Sequence, residues 1–277
     1  MLCTGGDRMG DIEKELRDMR YLDWTKSRKS SGTAGTFLKA YDDSGVKKKY
    51  YKLSDYDPFK GIFGHECVNE IIVQRLLRIL EIDHLDYKLL HALIMLNDRE
   101  EETWLCESED YKQKGENKIA FEDYYALEKE AGQSPMDFCR KMGWEGYIYR
   151  LLIVDYLVLN RDRHGANIEV LRSSKQKSIR LAPLFDHGLS LVCRCHNKEE
   201  LEKFDVMEDR RVQSFFGSGS TRENLRYVPR EVIRELPELN EKDLDSLVAD
   251  LDGILSKEHQ NKICEMIRRR WLSLGDI

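Results

Sequence analysis

Three oxygen-bearing side chains, Asp162, Asn167 and Asp186, hold the chemistry that stands out in this sequence. Asp162 and Asn167 lie five residues apart in a polar run, 160–167. That run follows the apolar stretch Leu151 to Leu159, which Asp155 alone interrupts. After it, Ile168 to Leu171 and Ile179 to Phe185 read as two strands joined by the polar turn Arg172 to Ser178, a hairpin. An antiparallel hairpin returns to its starting end, so Asn167 before it and Asp186 after it are expected side by side, with backbones about 5 Å apart. An amide oxygen and a carboxylate converging near a second carboxylate suit a hard divalent cation such as Mg²⁺, which keeps waters and grips phosphates. The chemistry such a set serves is phosphoryl transfer, with Asp162 placed to accept the proton of an acceptor hydroxyl and Asn167 and Asp186 placed to hold the metal.

Stepping outward, the apolar run 151–159 reads as a buried helix that delivers the polar loop. The transferred phosphate also needs a cation from the protein. Lys52, deep in the strand-like segment Val46 to Leu53, is the lysine expected to meet nucleotide phosphates. Lys47, Lys48 and Lys49 beside the preceding turn, and Lys39 on the partner strand, compete with it. Residues 64–82 have strong helical periodicity through Val68, Ile71, Ile72, Leu76, Ile79 and Leu80. Glu66 and Glu70 on that helix are the two candidates to hold the strand lysine. The small-residue loop Ser31, Gly32, Thr33, Ala34, Gly35, Thr36 lets backbone N–H groups approach an anion, though such a stretch also reads as a connector. Tyr87 to Leu96 and Glu102 to Cys106 read as paired strands, the second leading to a hinge near 105–108 where nucleotide would meet backbone groups, Glu107 among them.

The spacing from Asp162 to Asn167 matches that of a protein-kinase catalytic loop, and Asp186-His187-Gly188 stands where an Asp-Phe-Gly element would. The order differs, since Asp162-Arg163-His164 reverses the usual His-Arg-Asp. N-R-D-R-H-G-A-N-I-E-V followed by L-A-P-L-F-D-H-G-L-S-L resembles the HipA-like serine/threonine kinases, which are also similar to phosphatidylinositol kinases. The resemblance implies Asp162 as catalytic base, Asn167 and Asp186 as metal ligands, ATP and Mg²⁺ as cofactors, and Glu70 rather than Glu66 as the partner of Lys52. It also implies a protein substrate, an antitoxin-like regulator, a toxin-like role, and autophosphorylation in the glycine loop at Ser30 or Ser31. A lipid or small-molecule phosphotransferase and a non-catalytic nucleotide-binding protein are the competing readings.

Composition bounds the rest. The 277 residues suffice for a two-lobed α+β kinase-like fold: a charged leader over 1–20, weakly helical around Ile12 to Met19, a β-rich N-lobe over 21–108, and a helical C-lobe over 109–277. Residues 134–135 mark a helix start, and amphipathic periodicity continues from 230 to the end. The net charge of -6 with 35% charged residues gives no basic field for nucleic acid. No window has the apolar length of a membrane span. Seven scattered cysteines fit a reduced, cytoplasmic protein, and Cys193-Arg194-Cys195-His196 is spaced poorly for zinc.

Overall fold

The structure, a computed structural model, describes residues 10–25 and 37–275. Its first strand, β1 (Ile12–Asp18), lies where the sequence suggests a weakly helical leader. Ile12 and Leu16, with a Glu13–Arg17 ion pair four residues apart, mimic a helical turn, but tertiary pairing decides the outcome. β1 runs parallel to β6 (Tyr87–Leu96), with Ile12 opposite Leu89 and Asp18 opposite Leu93. Asp11 pins the start through Arg75 at 2.6 Å, and Met19 and Leu22 beyond the strand are buried. The segment belongs to the sheet.

Between these, β2 (Lys39–Asp42) and β3 (Lys49–Lys52) form an antiparallel pair, the short β4 (Tyr56–Asp57) and β5 (Gly61–Ile62) pair with each other, and α1 (Glu66–Ile79) follows. β7 (Arg99–Glu109) completes a five-stranded sheet of order β1-β6-β7-β3-β2. Asn97 and Asp98 both take left-handed φ, 48° and 62°, which gives the two-residue turn whose twist matches a hairpin, so β7 starts at Arg99. Alternation along β6 serves two cores. Tyr87 and Leu89 pack toward α1, while Leu90, Ala92, Ile94 and Leu96 pack on the other face with Tyr51, Leu53 and Leu105.

After β7 the chain passes through 110–116 into β8 (Asn117–Ala120), α2 (Phe121–Glu128), α3 (Pro135–Met142) and α4 (Glu145–Val158). Ser134 caps α3 by accepting from Asp137 N, with Pro135 in the first turn. β9 (Asp162–Arg163) and a 3₁₀ turn, Gly165–Asn167, lead into the hairpin β10 (Glu169–Ser173) and β11 (Ser178–Leu181), with Val170 opposite Leu181. The polar strand β8, unforeseen in the sequence, pairs with the other edge of β10. The remainder is α5 (Lys198–Lys203), β12 (Gln213–Ser214) pairing parallel with β9, then α6 (Thr221–Asn224), α7 (Arg230–Arg234), α8 (Glu241–Leu247) and α9 (Lys257–Leu274). One apolar core joins α1, α4, α8 and α9. This is the two-lobed α+β arrangement, a sheet with α1 facing a mainly helical half that carries the hairpin. Among the described residues no helix is long and apolar enough to cross a membrane.

Candidate active site

Lys52 closes β3, and its Nζ donates to Glu70 Oε1 at 2.9 Å and Asp186 Oδ1 at 2.5 Å. Burial alone would lower the lysine's pKa, but the charges of Asp186 and Glu70 raise it well above the ordinary value, so it stays charged. Glu70, buried in α1, accepts more than the lysine. His187 N donates to its Oε2 at 2.8 Å and Gly188 N to its Oε1 at 3.0 Å. One carboxylate thus ties strand, helix and the Asp186-His187-Gly188 segment together. Beside it, Asn69 Nδ2 donates to the carbonyls of Gly188 and Ser190 at 2.9 and 3.2 Å. Gly188 leaves room for this close approach, since a Cβ would stand 3.1 Å from Glu66 Cβ and 3.2 Å from Lys52 Nζ.

Glu66 and Lys47 to Lys49 have other partners. Glu66 Oε2 accepts from Asp55 N at 3.0 Å and serves the loop after β3. Lys47 pairs with the exposed Glu109, Lys48 sits over the Tyr41 ring, and Lys49 bonds Glu107 at 3.1 Å. Lys39 is the register partner of Lys52.

Asp162 and Asn167 are joined directly, Asn167 Nδ2 donating to the Asp162 carbonyl at 2.8 Å. That bond orients the amide so that Oδ1 remains for another partner. Asp162 N donates to Asn160 Oδ1 at 3.2 Å, and its part-exposed carboxylate lies 3.8 Å from His164 Nε2. The 3₁₀ turn tolerates only glycine at 165, since a Cβ there would meet Glu122 Cβ at 2.5 Å. Asp186 adopts φ +60°, a conformation that aspartate tolerates better than most residues, and its N–H donates to the Tyr87 hydroxyl at 3.2 Å.

What aligns the two ends of the hairpin is Arg163, 1% exposed. Its Nη1 donates to the carbonyls of Asn167 and Phe185 at 3.0 and 2.9 Å, while Nε and Nη2 fork onto Asp155 at 3.0 to 3.2 Å. Asn160 Nδ2 also donates to Asp155 at 2.9 Å. Asp155 and Arg163 are functional residues that sequence reasoning did not assign. Their signal was present, as a single carboxylate inside nine otherwise apolar positions, eight residues before an arginine.

Two expectations change. Glu107 lies on the opposite face of the sheet from Lys52, where its side chain takes Lys49 and Tyr51, and so it stands apart from the cluster. The backbone of 106–108, where the hinge is expected, is flanked by both β3 and β6, and β7 continues to Glu109. Ser31 to Thr36 lie outside the described residues.

The cluster has the donors of a hard-cation site, an amide oxygen and a carboxylate with a charged lysine alongside, and it lies between a sheet and a helical half. No protein-family model matches the sequence, and no curated protein matches it. Among solved structures, the fold is similar to that of the Helicobacter pylori proinflammatory kinase CtkA, with TM-score 0.61 and 15% identity over 95% of this chain and 96% of that one. A HipA chain from the Shewanella oneidensis HipA, HipB and operator DNA complex also aligns, with TM-score 0.47 and 16% identity over 93% of this chain and 68% of that one. At these identities the likeness concerns the fold alone, a two-lobed fold shared with the CtkA kinase.

Proposed function

We propose that the chain is an ATP-dependent protein kinase that phosphorylates a serine or threonine hydroxyl. The observation that carries this reading is the Lys52 ammonium between Glu70 and Asp186, with Glu70 also holding the backbone of Asp186-His187-Gly188. Such a tie sets a phosphate-binding cation and a metal-binding carboxylate at fixed separation, which phosphoryl transfer requires. A kinase among the proteins of this fold adds support.

Bound Mg-ATP supplies the γ-phosphoryl group and a metal that offsets its charge. Asn167 Oδ1 and Asp186 would hold that metal, and Lys52 would steady the phosphates. Asp162 takes the proton of the acceptor hydroxyl as its oxygen bonds to the γ-phosphorus and the bond to ADP breaks. Arg163 keeps Asn167 and Asp186 in register throughout, by gripping a carbonyl at each end of the hairpin.

The test is incubation with γ-labelled ATP, Mg²⁺ and cell extract, resolved into protein, lipid and soluble fractions. Label should enter protein, and Asp162→Ala should lower transfer about 10²- to 10⁴-fold while nucleotide binding persists. Equal transfer by Asp162→Ala and the parent would remove Asp162 as base. Label in lipid alone would remove the protein acceptor.

A further inference from the structure

Directly before Asp162 in the chain lies an arginine without an anion among the described residues. The Arg161 backbone is fixed from both sides, its N–H donating to the Leu189 carbonyl at 3.0 Å and its carbonyl accepting from Gln213 N at 2.9 Å. Its side chain is partly buried, and Nε is buried with no hydrogen-bond partner. Among the described residues no carboxylate pairs with it; its charged neighbours are Arg194 and Arg210, set among the thiols of Cys193 and Cys195. Arg210 leans on the Phe204 ring at 4.4 Å and pairs with Glu208, yet its Nε too is buried and unpartnered. Arg194 is exposed. Of the other carboxylates near these thiols, Glu200 accepts from the backbone of His196 and Asn197, and Glu66 accepts from Asp55 N. Burial and the like charges of Arg194 and Arg210 hold Arg161 below the ordinary arginine pKa.

Three guanidinium groups with one carboxylate between them form a cluster that a further anion would relieve. We infer that Arg161, Arg194 and Arg210 form a binding site for an anionic side chain, carboxylate or phosphate, of the acceptor polypeptide. The inference rests on the kinase reading for its occupant, though not for the site. Arg161 and Asp162 are adjacent, with Cα atoms about 3.8 Å apart. An extended acceptor advances about 3.3 Å per residue, so the proposal puts its anionic residue two or three positions from the hydroxyl at Asp162. The site would therefore select acceptors with an acidic or phosphorylated residue at that distance, and arginine forks suit such planar or tetrahedral oxyanions.

The first experiment does not depend on transfer. Inorganic phosphate is titrated into ¹⁵N-labelled protein at constant ionic strength, and the Arg161 Nε–Hε resonance, assigned by its loss in Arg161→Gln, is followed. A saturable shift that chloride does not reproduce and that Arg194→Gln weakens supports the site; no such shift overturns it. Arg194 is exposed, so that variant folds even if Arg161→Gln does not. The second experiment compares kcat/KM for serine peptides bearing Glu or phosphoserine two or three residues from the acceptor with that for Ala peptides. The acidic-to-neutral ratio should fall about tenfold in Arg161→Gln, the loss of one charge-assisted hydrogen bond. A ratio of one in the parent overturns the acceptor as occupant. So does a phosphate already on the chain, found by intact mass, whose removal by phosphatase shifts the Arg161 resonance. Phosphate binding without transfer to any peptide would leave the site standing, overturn the acceptor as its occupant and remove the kinase reading.

Discussion

The protein contains two buried charge networks, and they are built differently. Around Asp155 and Arg163, at 5% and 1% side-chain exposure, the guanidinium spends its fork on one carboxylate and its remaining arm on two carbonyls. That network is closed. Around Lys52, the lysine touches two carboxylates, and one of them, Asp186, is 22% exposed. That network is open. The first kind of arrangement holds a backbone in place, whereas the second can exchange partners when a cation and phosphates arrive.

The largest effect should come from breaking the closed network. Asp155→Ala leaves a buried guanidinium without its counter-charge and should cost about 3 to 5 kcal/mol in urea unfolding. A loss under about 1 kcal/mol would show that Arg163 does not depend on it and would erase the contrast. A second effect sharpens the picture at the edge of the site. His65, just before α1, is held by burial, with the charges of His259 and His196 adding to it, at a pKa of about 4 against an ordinary 6.5. Unfolded, it binds a proton below about pH 6.5; folded, it does so only near pH 4. Its contribution is therefore complete above pH 6.5 and lost as pH falls toward 4, about 3 kcal/mol in all. Stability measured across that window should drop, and His65→Gln should flatten the drop. The smallest change is expected in the open network. Lys52→Met should alter stability by less than about 2 kcal/mol, because Glu70 retains two N–H donors and Asp186 has access to water. Nucleotide affinity, measured by calorimetry, should fall far more. A stability loss equal to that of Asp155→Ala would mean that both networks are scaffolds.

How much of this was legible in the sequence follows from how local each signal is. The hairpin, the turn before it and α1 are specified within windows of a few residues by periodicity and polar breaks, and each forms near where expected, although β11 ends at Leu181 rather than Phe185. The meeting of Lys52, Glu70 and Asp186 was legible only through the order of motifs, since 134 residues separate the lysine from the aspartate. β1 was misread because its four-residue spacing of Ile12 with Leu16 and Glu13 with Arg17 is helical in isolation, whereas β6 supplies the backbone partners that make it a strand. The engagement of 106–108 by both β3 and β6 is a property of neighbours that the residues of β7 do not themselves encode. Arg163 went unassigned for a similar reason, as its three partners come from a helix, a 3₁₀ turn and the loop after β11.

The parallel seating of β1 on β6 has a consequence for handling the protein. β6 presents ten residues, Tyr-Lys-Leu-Leu-His-Ala-Leu-Ile-Met-Leu, rich in aliphatic side chains and lacking proline. Stripped of its outer neighbour, that ribbon would offer an open row of amides and carbonyls to any second copy of itself, the template on which chains stack into aggregates. The charged, mostly exposed β1 acts as a sacrificial border that keeps copies of the protein apart.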